Sequence, residues 1–287
     1  MSAVESTSGT AGGGDGNPRE RVATARRQEL LQAALQYADC CREVISQTRS
    51  HGVEVDAKPD LSLVTNADLA AERAFRQSVE QDFPDMGIIG EEFGASRPEA
   101  AYQWVIDPVD GTADFARELP TWGCIIGVFF EGEPIVGVID HPDLGLRMHA
   151  AHGLGAYCNN ERMILQDTVS SRSALTGRVG VPSRSSFTRC SKDGHVFDAL
   201  VRAHPDFRTL RTCLTHTYAA TGQLDAAVEW DANIWDLAAT RILIEEAGGR
   251  YLCVREREQQ GAGMLYSAVF GRPALVDRIA AMLGAHI

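Results

Sequence analysis

The sequence predicts a mixed α/β fold built from layered sheets. Segments with helical periodicity share the chain with strand-like apolar runs, and the two kinds occur in blocks rather than in strict βαβ order. The 287 residues are 44% hydrophobic, which is enough apolar material for a substantial core. At about 100–200 residues per domain, the chain has room for one large domain or two modest ones.

Four segments have the apolar spacing or the end signals of helices. In the first, Leu31, Leu35 and Ala38 recur at intervals of four and three residues. At the start of the second, Thr65 and Asp68 have the spacing of a capping box, in which each side chain bonds the backbone amide of the other. The predicted helices cover residues 21–49, 65–83, 237–247 and 274–283.

Short apolar runs between turn residues predict the strands. Two of these runs flank Glu131-Gly132-Glu133 and indicate a hairpin. The stretch from about residue 170 to 212 mixes apolar runs with polar loops and gives no clear assignment. The predicted strands cover residues 88–89, 104–106, 122–130, 134–139, 147–151, 155–158 and 251–254.

Residues 1–20 are small, polar and rich in glycine, which predicts a disordered leader. They contain no basic end followed by an apolar stretch, so we expect no secretory signal. The sequence also lacks a run of about 18 apolar residues, which argues against a membrane span. We expect residues 21–287 to form a single domain, with an N-terminal half over 21–145 and a C-terminal half over 146–287.

The chain is acidic, with a net charge of −12 and only two lysines among its 27 basic residues. Nucleic-acid binding relies on basic patches, so we expect no nucleic-acid partner. The seven cysteines are scattered and include no C-x-x-C pair, which implies no disulfide framework. A reduced, cytoplasmic protein is therefore expected.

Carboxylates follow two strand-like runs. Glu91 follows one run, and Asp107 and Asp110 follow the next, separated by a proline. Because proline fixes its own φ and keeps the preceding residue extended, the chain must turn sharply and can aim both aspartates and the Val109 carbonyl at one point. Oxygen ligands of this kind suit hard cations, and two magnesium ions so placed would bind phosphoryl oxygens and activate water.

The residues around these acids also have simpler interpretations. Gly111 and Thr112 offer unhindered amides for a phosphate if a helix begins there. The run Asp-Pro-Val-Asp-Gly is also good surface-turn chemistry, and Asp236, which precedes the apolar run 237–247, also fits a helix N-cap. The second acidic strand end, at residues 90–92, favours a metal site over a plain turn.

Several segments resemble the inositol monophosphatase family. Residues 90–92 (GEE), 104–115 (WVIDPVDGTADF) and 235–239 (WDLAA) resemble its signatures, and residues 58–68 match its upstream element. The resemblance runs in order from about residue 28 to 285. It implies a layered αβαβα sandwich, commonly assembled as a homodimer, and a magnesium-dependent phosphatase that acts on a small phosphate ester.

The resemblance also implies roles for the matching residues in metal binding. Glu91 would bind the first magnesium ion and help to orient the attacking water. Asp107 would bridge two ions, and the Val109 carbonyl would complete the first site. Asp110 and Asp236 would bind the second ion, and Asp110 would also border the substrate.

Four further residues receive roles in the same way. Thr112 would position the water, and its amide and that of Gly111 would hold the phosphate. Asp68 would border a third, weaker metal site and support Thr112. Glu229 matches a residue that contacts a substrate hydroxyl in the inositol phosphatases.

Details of the motifs indicate a branch of the family. Phe93 and the segment 117–122 resemble the histidinol-phosphate phosphatases more than the inositol phosphatases, while Ala113 and Asp114 depart from the usual family pattern. We therefore expect a phosphomonoesterase for histidinol phosphate or myo-inositol monophosphate. The alternatives are a 3′-phosphoadenosine-phosphate or fructose-bisphosphate phosphatase, and a catalytically silent regulatory member.

Overall fold

The computed structural model describes residues 17–59, 62–166, 177–259 and 263–285. The α-helices of these residues are α1 (Thr24–His51), α2 (Asn66–Asp82), α3 (Thr112–Phe115), α4 (Gly194–Ala203), α5 (Leu214–Ala220), α6 (Thr240–Glu246) and α7 (Pro273–Gly284). The strands are β1 (Val55–Ala57), β2 (Leu63–Thr65), β3 (Gly87–Gly90), β4 (Gly94–Ser96), β5 (Tyr102–Asp110), β6 (Gly123–Phe130), β7 (Glu133–His141), β8 (Leu146–Ala151), β9 (Gly155–Cys158), β10 (Glu161–Arg162), β11 (Val179–Gly180), β12 (Ala226–Ala232), β13 (Arg250–Gln259) and β14 (Gly263–Gly271).

The larger sheet has eight strands in the order β10-β9-β8-β7-β6-β5-β3-β4. Strands β3 and β5 are parallel, and Gly90 pairs with Ile106. Since parallel strands end at the same edge of a sheet, the residues that follow Gly90 lie beside the end of β5. The sheet continues to Arg162, so it crosses the predicted division of the chain at residue 145.

Three apolar clusters join five layers of structure. Helices α1 and α2 cover one face of the larger sheet, where they meet Trp104 and Ile106. Val105 points to the opposite face, because successive strand residues alternate, and joins the cluster around α5 and α6. That cluster includes Phe270 of the smaller sheet (order β11-β12-β14-β13), whose outer face packs Val269 against α4 and α7. The fold is therefore the predicted αβαβα sandwich.

The first two helices and the hairpin of β6 and β7 lie where the sequence predicts them. The capping box of α2 is present: the Thr65 hydroxyl accepts hydrogen bonds from the amides of Ala67 and Asp68, and the Asp68 carboxylate accepts one from the Thr65 amide at 3.0 Å. None of the described helices is both long enough and apolar enough to span a membrane.

Other boundaries differ from the prediction. The strand predicted at 104–106 continues to Asp110, and the one predicted at 251–254 extends over Arg250–Gln259. The helix predicted from residue 237 begins at Thr240, because residues 234–239 form turns. The prediction missed six elements of the C-terminal half, namely α4, α5, β10, β11, β12 and β14.

The end of the predicted leader is folded. Pro18–Arg21 form a turn of 3₁₀ helix, and Arg19 within it is only 4% exposed. The Arg19 guanidinium pairs with Glu133 of β7 at 3.1 Å and with Glu245 of α6. The predicted boundary at residue 20 thus falls inside a folded turn, while the leader residues 1–16 lie outside the described part of the chain.

Two glycines let the segment that carries Asp236 lie directly on the larger sheet. Gly127 of β6 pairs with Gly137 of β7. A Cβ at Gly127 would lie 2.4 Å from the Ala238 carbonyl oxygen, and one at Gly137 would lie 2.6 Å from Cγ2 of Ile242. Asp236 is two residues before Ala238, so this close approach helps to set its position.

Replacing Gly127 with alanine should destabilise the fold. Because the new Cβ meets backbone atoms, we expect Gly127→Ala to lower the free energy of unfolding by about 1–3 kcal/mol. Gly284→Ala is the matched control, since a Cβ there meets open space, and it should cause no loss. Urea denaturation measures both variants. Wild-type stability of Gly127→Ala would show that the 234–239 segment does not rest on the sheet.

Candidate active site

A cleft at the adjoining ends of β3 and β5 contains the predicted carboxylates. Asp107, Asp110 and Asp236 each place one carboxylate oxygen within 4.8 Å of the others. Glu91 lines the same cleft, which has a volume of about 730 Å³. Three more of the predicted site residues also line it, namely Val109, Gly111 and Thr112.

An irregularity in β5 turns its two aspartates toward the cleft. Asp107 pairs with Ile125 and Asp110 pairs with Gly123, and the register shifts between them. The Val109 amide donates a hydrogen bond to Oδ1 of Asp107 at 3.0 Å. The strand therefore bends without ending, which differs from the predicted stop after residue 106 but brings both carboxylates to one side.

A turn, and not a helix cap, positions Asp236. The N-cap of α6 is Ala239, so the N-cap interpretation of Asp236 is wrong. Oδ2 of Asp236 instead accepts a hydrogen bond from the Asn233 amide at 2.8 Å. This local turn projects the carboxylate from the layer between the sheets toward Asp107 and Asp110.

Thr112 links the cleft to α2. Its hydroxyl lies 3.2 Å from Oδ1 of Asp68 and 3.1 Å from the Val109 carbonyl oxygen, so it can donate its one proton to either acceptor. The preceding Gly111 has φ +89°, and a Cβ there would lie 2.5 Å from Cγ2 of Thr212. Both the positive φ and the lack of space for a Cβ require glycine at residue 111.

The clustered acids have raised pKa values. Burial, with added repulsion from neighbouring carboxylates, raises the pKa values of Asp107 and Asp236 well above their usual range. Burial also raises the pKa of Asp68 to about 6, and that of Asp110 to about 6 even though the Cys213 amide donates a hydrogen bond to it. A divalent cation would offset this repulsion, and carboxylate and carbonyl oxygens are the ligands that hard cations prefer. The residues present therefore fit a metal ion.

Lys58 closes one side of the cleft. Its Nζ lies 2.8 Å from Oε1 of Glu91 and 2.8 Å from Oε1 of Glu92. Burial alone would lower the pKa of Lys58, but the two carboxylates outweigh it and raise that pKa. The sequence places Lys58 in a family motif without a role, and the structure gives it direct contact with the Glu91 side chain.

Glu72 is a site residue that the sequence reasoning missed. Its fully buried carboxylate accepts the amides of Glu92 at 2.8 Å and Phe93 at 3.1 Å, and it pairs with Arg76 of the same helix. It thereby holds the loop that carries Glu91. The sequence offers one signal for Glu72, which is its spacing. It lies four residues after Asp68 on the buried face of α2, which is apolar apart from these two acids.

A smaller cavity of about 230 Å³ adjoins the cleft and shares four lining residues with it, namely Asp110, Arg189, Asn233 and Asp236. Glu229 of β12 and His216 of α5 line this cavity. The structure therefore brings Glu229 to the same site as the carboxylate cluster. The wall also includes two exposed arginines, Arg189 and Arg211.

The unusual Asp114 lies apart from the cluster. Its carboxylate accepts a hydrogen bond from the Thr121 hydroxyl at 2.5 Å. Among the described residues, it lines neither the cleft nor the adjoining cavity. Its charge is thus directed to the loop after α3.

Known proteins are similar to this chain in sequence and in fold. A histidinol-phosphatase of Mycobacterium tuberculosis is 36% identical over 235 residues, which cover 77% of this chain and 85% of that protein. A fructose-1,6-bisphosphatase/inositol-1-monophosphatase of Aquifex aeolicus is 30% identical over 230 residues, covering 78% and 84%. The solved structure of an IMPase from Thermotoga maritima superposes with a TM-score of 0.75 at 24% identity, covering 90% of this chain and 97% of that one.

The sequence profile of the inositol monophosphatase family matches residues 26–283, and the chain belongs to that family. The family match and the histidinol-phosphatase relative indicate a phosphatase, a hydrolase of phosphate monoesters. The family is generally metal-dependent and acts on small phosphate esters. In this chain, the group formed by Asp107, Asp110 and Asp236 could bind the metal.

Magnesium should stabilise the protein more at pH 7.5 than at pH 5.5. In the metal-free fold the pKa values of Asp68 and Asp110 rise from 3.8 to about 6. Between pH 3.8 and about 6, the folded state holds protons on these carboxyl groups that the unfolded state has lost. The contribution of these groups to the free energy of unfolding therefore falls as the pH rises through this range. Carboxylates that bind a cation are deprotonated only above this range. We expect the Mg²⁺-induced rise in Tm, measured by calorimetry, to be several degrees larger at pH 7.5.

Two aspartate variants serve to assign the effect. Asp236→Asn should lose most of the pH-dependent shift, whereas Asp277→Asn, which alters a half-exposed carboxylate on α7, should keep it. Equal shifts at both pH values in the wild type would contradict the assignment of these carboxylates to the metal.

Proposed function

We propose that the protein is a magnesium-dependent phosphomonoesterase for a small polyol or amino-alcohol phosphate, with histidinol phosphate ahead of myo-inositol monophosphate. The observation that carries the proposal is the joined cavity, in which Glu229 shares one space with Asp110 and Asp236. The 36% identity to a histidinol-phosphatase supports the ranking of substrates.

The metal would be held by oxygen ligands of this chain. We propose that Glu91, Asp107 and the Val109 carbonyl hold one magnesium ion, and that Asp107, Asp110 and Asp236 hold a second. Asp68 would border a third, weaker site. When bound, the ions supply positive charge for the phosphoryl oxygens and the leaving oxygen and lower the pKa of a bound water.

Thr112 and its neighbours would orient water and phosphate. When the Thr112 hydroxyl donates its hydrogen bond to Asp68, the lone pairs of its oxygen can accept a hydrogen bond from water. Glu91 offers a second acceptor in the same cleft. The amides of Gly111 and Thr112 would bind phosphate oxygens, since they stand at the start of α3, where amides lack partners within the helix.

Selectivity would come from the adjoining cavity. A carboxylate at Glu229 favours an ammonium group or hydroxyls at the non-phosphate end of the substrate. A bisphosphate remains the second candidate, because Arg189 and Arg211 line the same cavity and could hold a second phosphate. The relative named fructose-1,6-bisphosphatase/inositol-1-monophosphatase supports that alternative.

We also propose the cellular form of the protein. By its family, the chain would assemble as a homodimer in the cytoplasm, with residues 21–287 as one domain. All five matched acids, namely Asp68, Glu91, Asp107, Asp110 and Asp236, are present, which argues against a catalytically silent member.

A substrate panel tests the proposal. Phosphate release is measured from histidinol phosphate, myo-inositol 1-phosphate, fructose 1,6-bisphosphate and 3′-phosphoadenosine phosphate, with and without magnesium. We expect the highest kcat/KM for histidinol phosphate, with magnesium required. Asp110→Asn should reduce kcat by about 10²-fold or more, because it removes one electrostatic stabiliser of the transition state.

Asp114→Asn is the matched control for Asp110→Asn. Both aspartates are two residues from Thr112, but the Asp114 carboxylate accepts a hydrogen bond from the Thr121 hydroxyl. The Asp114→Asn variant should retain activity. A preference for fructose bisphosphate would replace the proposed substrate with the second candidate. Full activity in metal-free buffer would contradict the metal-dependent mechanism itself.

A further inference from the structure

A buried imidazole lies directly behind the carboxylate of Glu229. His216 of α5 is only 4% exposed, yet it lines the smaller cavity. Its ring packs edge-on against Phe270 of β14, with centroids 5.1 Å apart. The ring is therefore fixed in place by packing from the neighbouring sheet.

Both ring nitrogens of His216 have partners. Nε2 lies 3.2 Å from Oε1 of Glu229, and Nδ1 lies 2.9 Å from Oγ1 of Thr240. An ionised carboxylate can only accept a hydrogen bond, so Nε2 must carry the proton. In the neutral ring Nδ1 is then an acceptor, and the Thr240 hydroxyl must donate to it.

Only one oxygen of Glu229 is used in this way. Among the described residues, its other oxygen, Oε2, forms neither a hydrogen bond nor an ion pair, and the side chain lines the cavity. Strand β12 is also fixed close to Glu229. Asp231, two residues later, has φ +52° and forms ion pairs with Arg255 and Arg257 of β13. One carboxylate oxygen is thus anchored, while the other has no hydrogen-bond or ion-pair partner among the described residues of the cavity wall.

We propose that His216 is a positioning residue for substrate selection. Held by Thr240 as the Nε2–H tautomer, it fixes Oε1 of Glu229 and directs Oε2 toward a hydrogen-bond donor on the substrate, such as an ammonium or hydroxyl group. The inference rests on the proposed role of Glu229. It adds that a hydrogen-bond relay sets the orientation of that carboxylate. The relay runs from Thr240 of α6 through His216 of α5 to Glu229 of β12.

A double-mutant cycle tests the relay in the full-length, magnesium-loaded protein. The readout is the ratio of kcat/KM for histidinol phosphate to kcat/KM for p-nitrophenyl phosphate, which has no group for Glu229 to bind. His216→Phe keeps an aromatic ring but removes both hydrogen bonds. We expect it to lower the ratio about tenfold, mainly through a higher KM for histidinol phosphate, because a hydrogen bond to a charged group is lost.

Two further variants separate positioning from packing. His216→Gln keeps an N–H donor for Glu229 and an acceptor for Thr240, and it should retain most of the ratio. Glu229→Gln should lower the ratio about as much as His216→Phe does. In the Glu229→Gln background, His216→Phe should then change the ratio by less than about twofold, since coupled residues are not additive.

A spectroscopic measurement on the wild type tests the tautomer of His216 directly. ¹⁵N-edited spectra of the imidazoles at pH 8 distinguish the two neutral tautomers, and the His216 signals are assigned by their loss in His216→Gln or their shift in Thr240→Val. We expect the Nε2–H tautomer in the wild type. An Nδ1–H tautomer would overturn the relay.

The outcomes distinguish the inference from the function on which it rests. If Glu229→Gln leaves the ratio unchanged, the proposed role of Glu229 fails. If Glu229→Gln lowers the ratio but His216→Phe does not, or lowers it equally in both backgrounds, the positioning role of His216 is overturned. A loss in His216→Gln as large as that in His216→Phe would also overturn it, because packing would then explain the effect.

Discussion

Mutual repulsion among buried carboxylates is the constraint on which the rest of the structure depends. Asp107, Asp110 and Asp236 converge within 4.8 Å, where burial raises their pKa values. Each of the three accepts one backbone hydrogen bond, so the main chain fixes all of them before any ion is bound. The donors are the amides of Val109, Cys213 and Asn233, respectively. This arrangement costs the fold stability, and a divalent ion bound among the carboxylates would restore that stability.

The layers of the sandwich supply these fixed positions from distant parts of the chain. Strand β5 of the larger sheet carries the first two aspartates, and the turn before α6 carries the third. Gly127 and Gly137 let that turn approach the sheet closely, while Glu72 of α2 holds the loop of Glu91 from the opposite layer. Rigid elements on both sides thus meet at one edge, and this suits a site that must hold its geometry without ligand.

Sequence patterns predicted those parts of the site whose positions depend on residues nearby in the sequence. The capping box at Thr65 and the meeting of Glu91 with Asp107 and Asp110 at neighbouring strands follow from residue type and spacing, although β5 bends at Pro108 and does not end before it as predicted. The family resemblance added Asp236 and Glu229, which are far away in sequence. The pattern at Asp236 alone could not separate an N-cap from a turn, because both place an acid before an apolar run.

The missed elements are those whose pattern depends on tertiary contacts. Strand β12 is rich in alanine and is buried on both faces, so it shows neither strict alternation nor high strand propensity. Glu72 and His216 are polar residues on buried surfaces, and their partners are 20 and 13 residues away. The spacing of Glu72 after Asp68 indicates a buried acid on α2, but the contacts that give Glu72 and His216 their roles come from other elements.

Anomalous X-ray scattering from crystals soaked in Mn²⁺ would test the central claim most directly, because it locates the ion independently of activity. We expect a strong manganese peak among the carboxylates of Asp107, Asp110 and Asp236. Manganese bound only elsewhere, with these carboxylates left without an ion at saturating Mn²⁺, would contradict it.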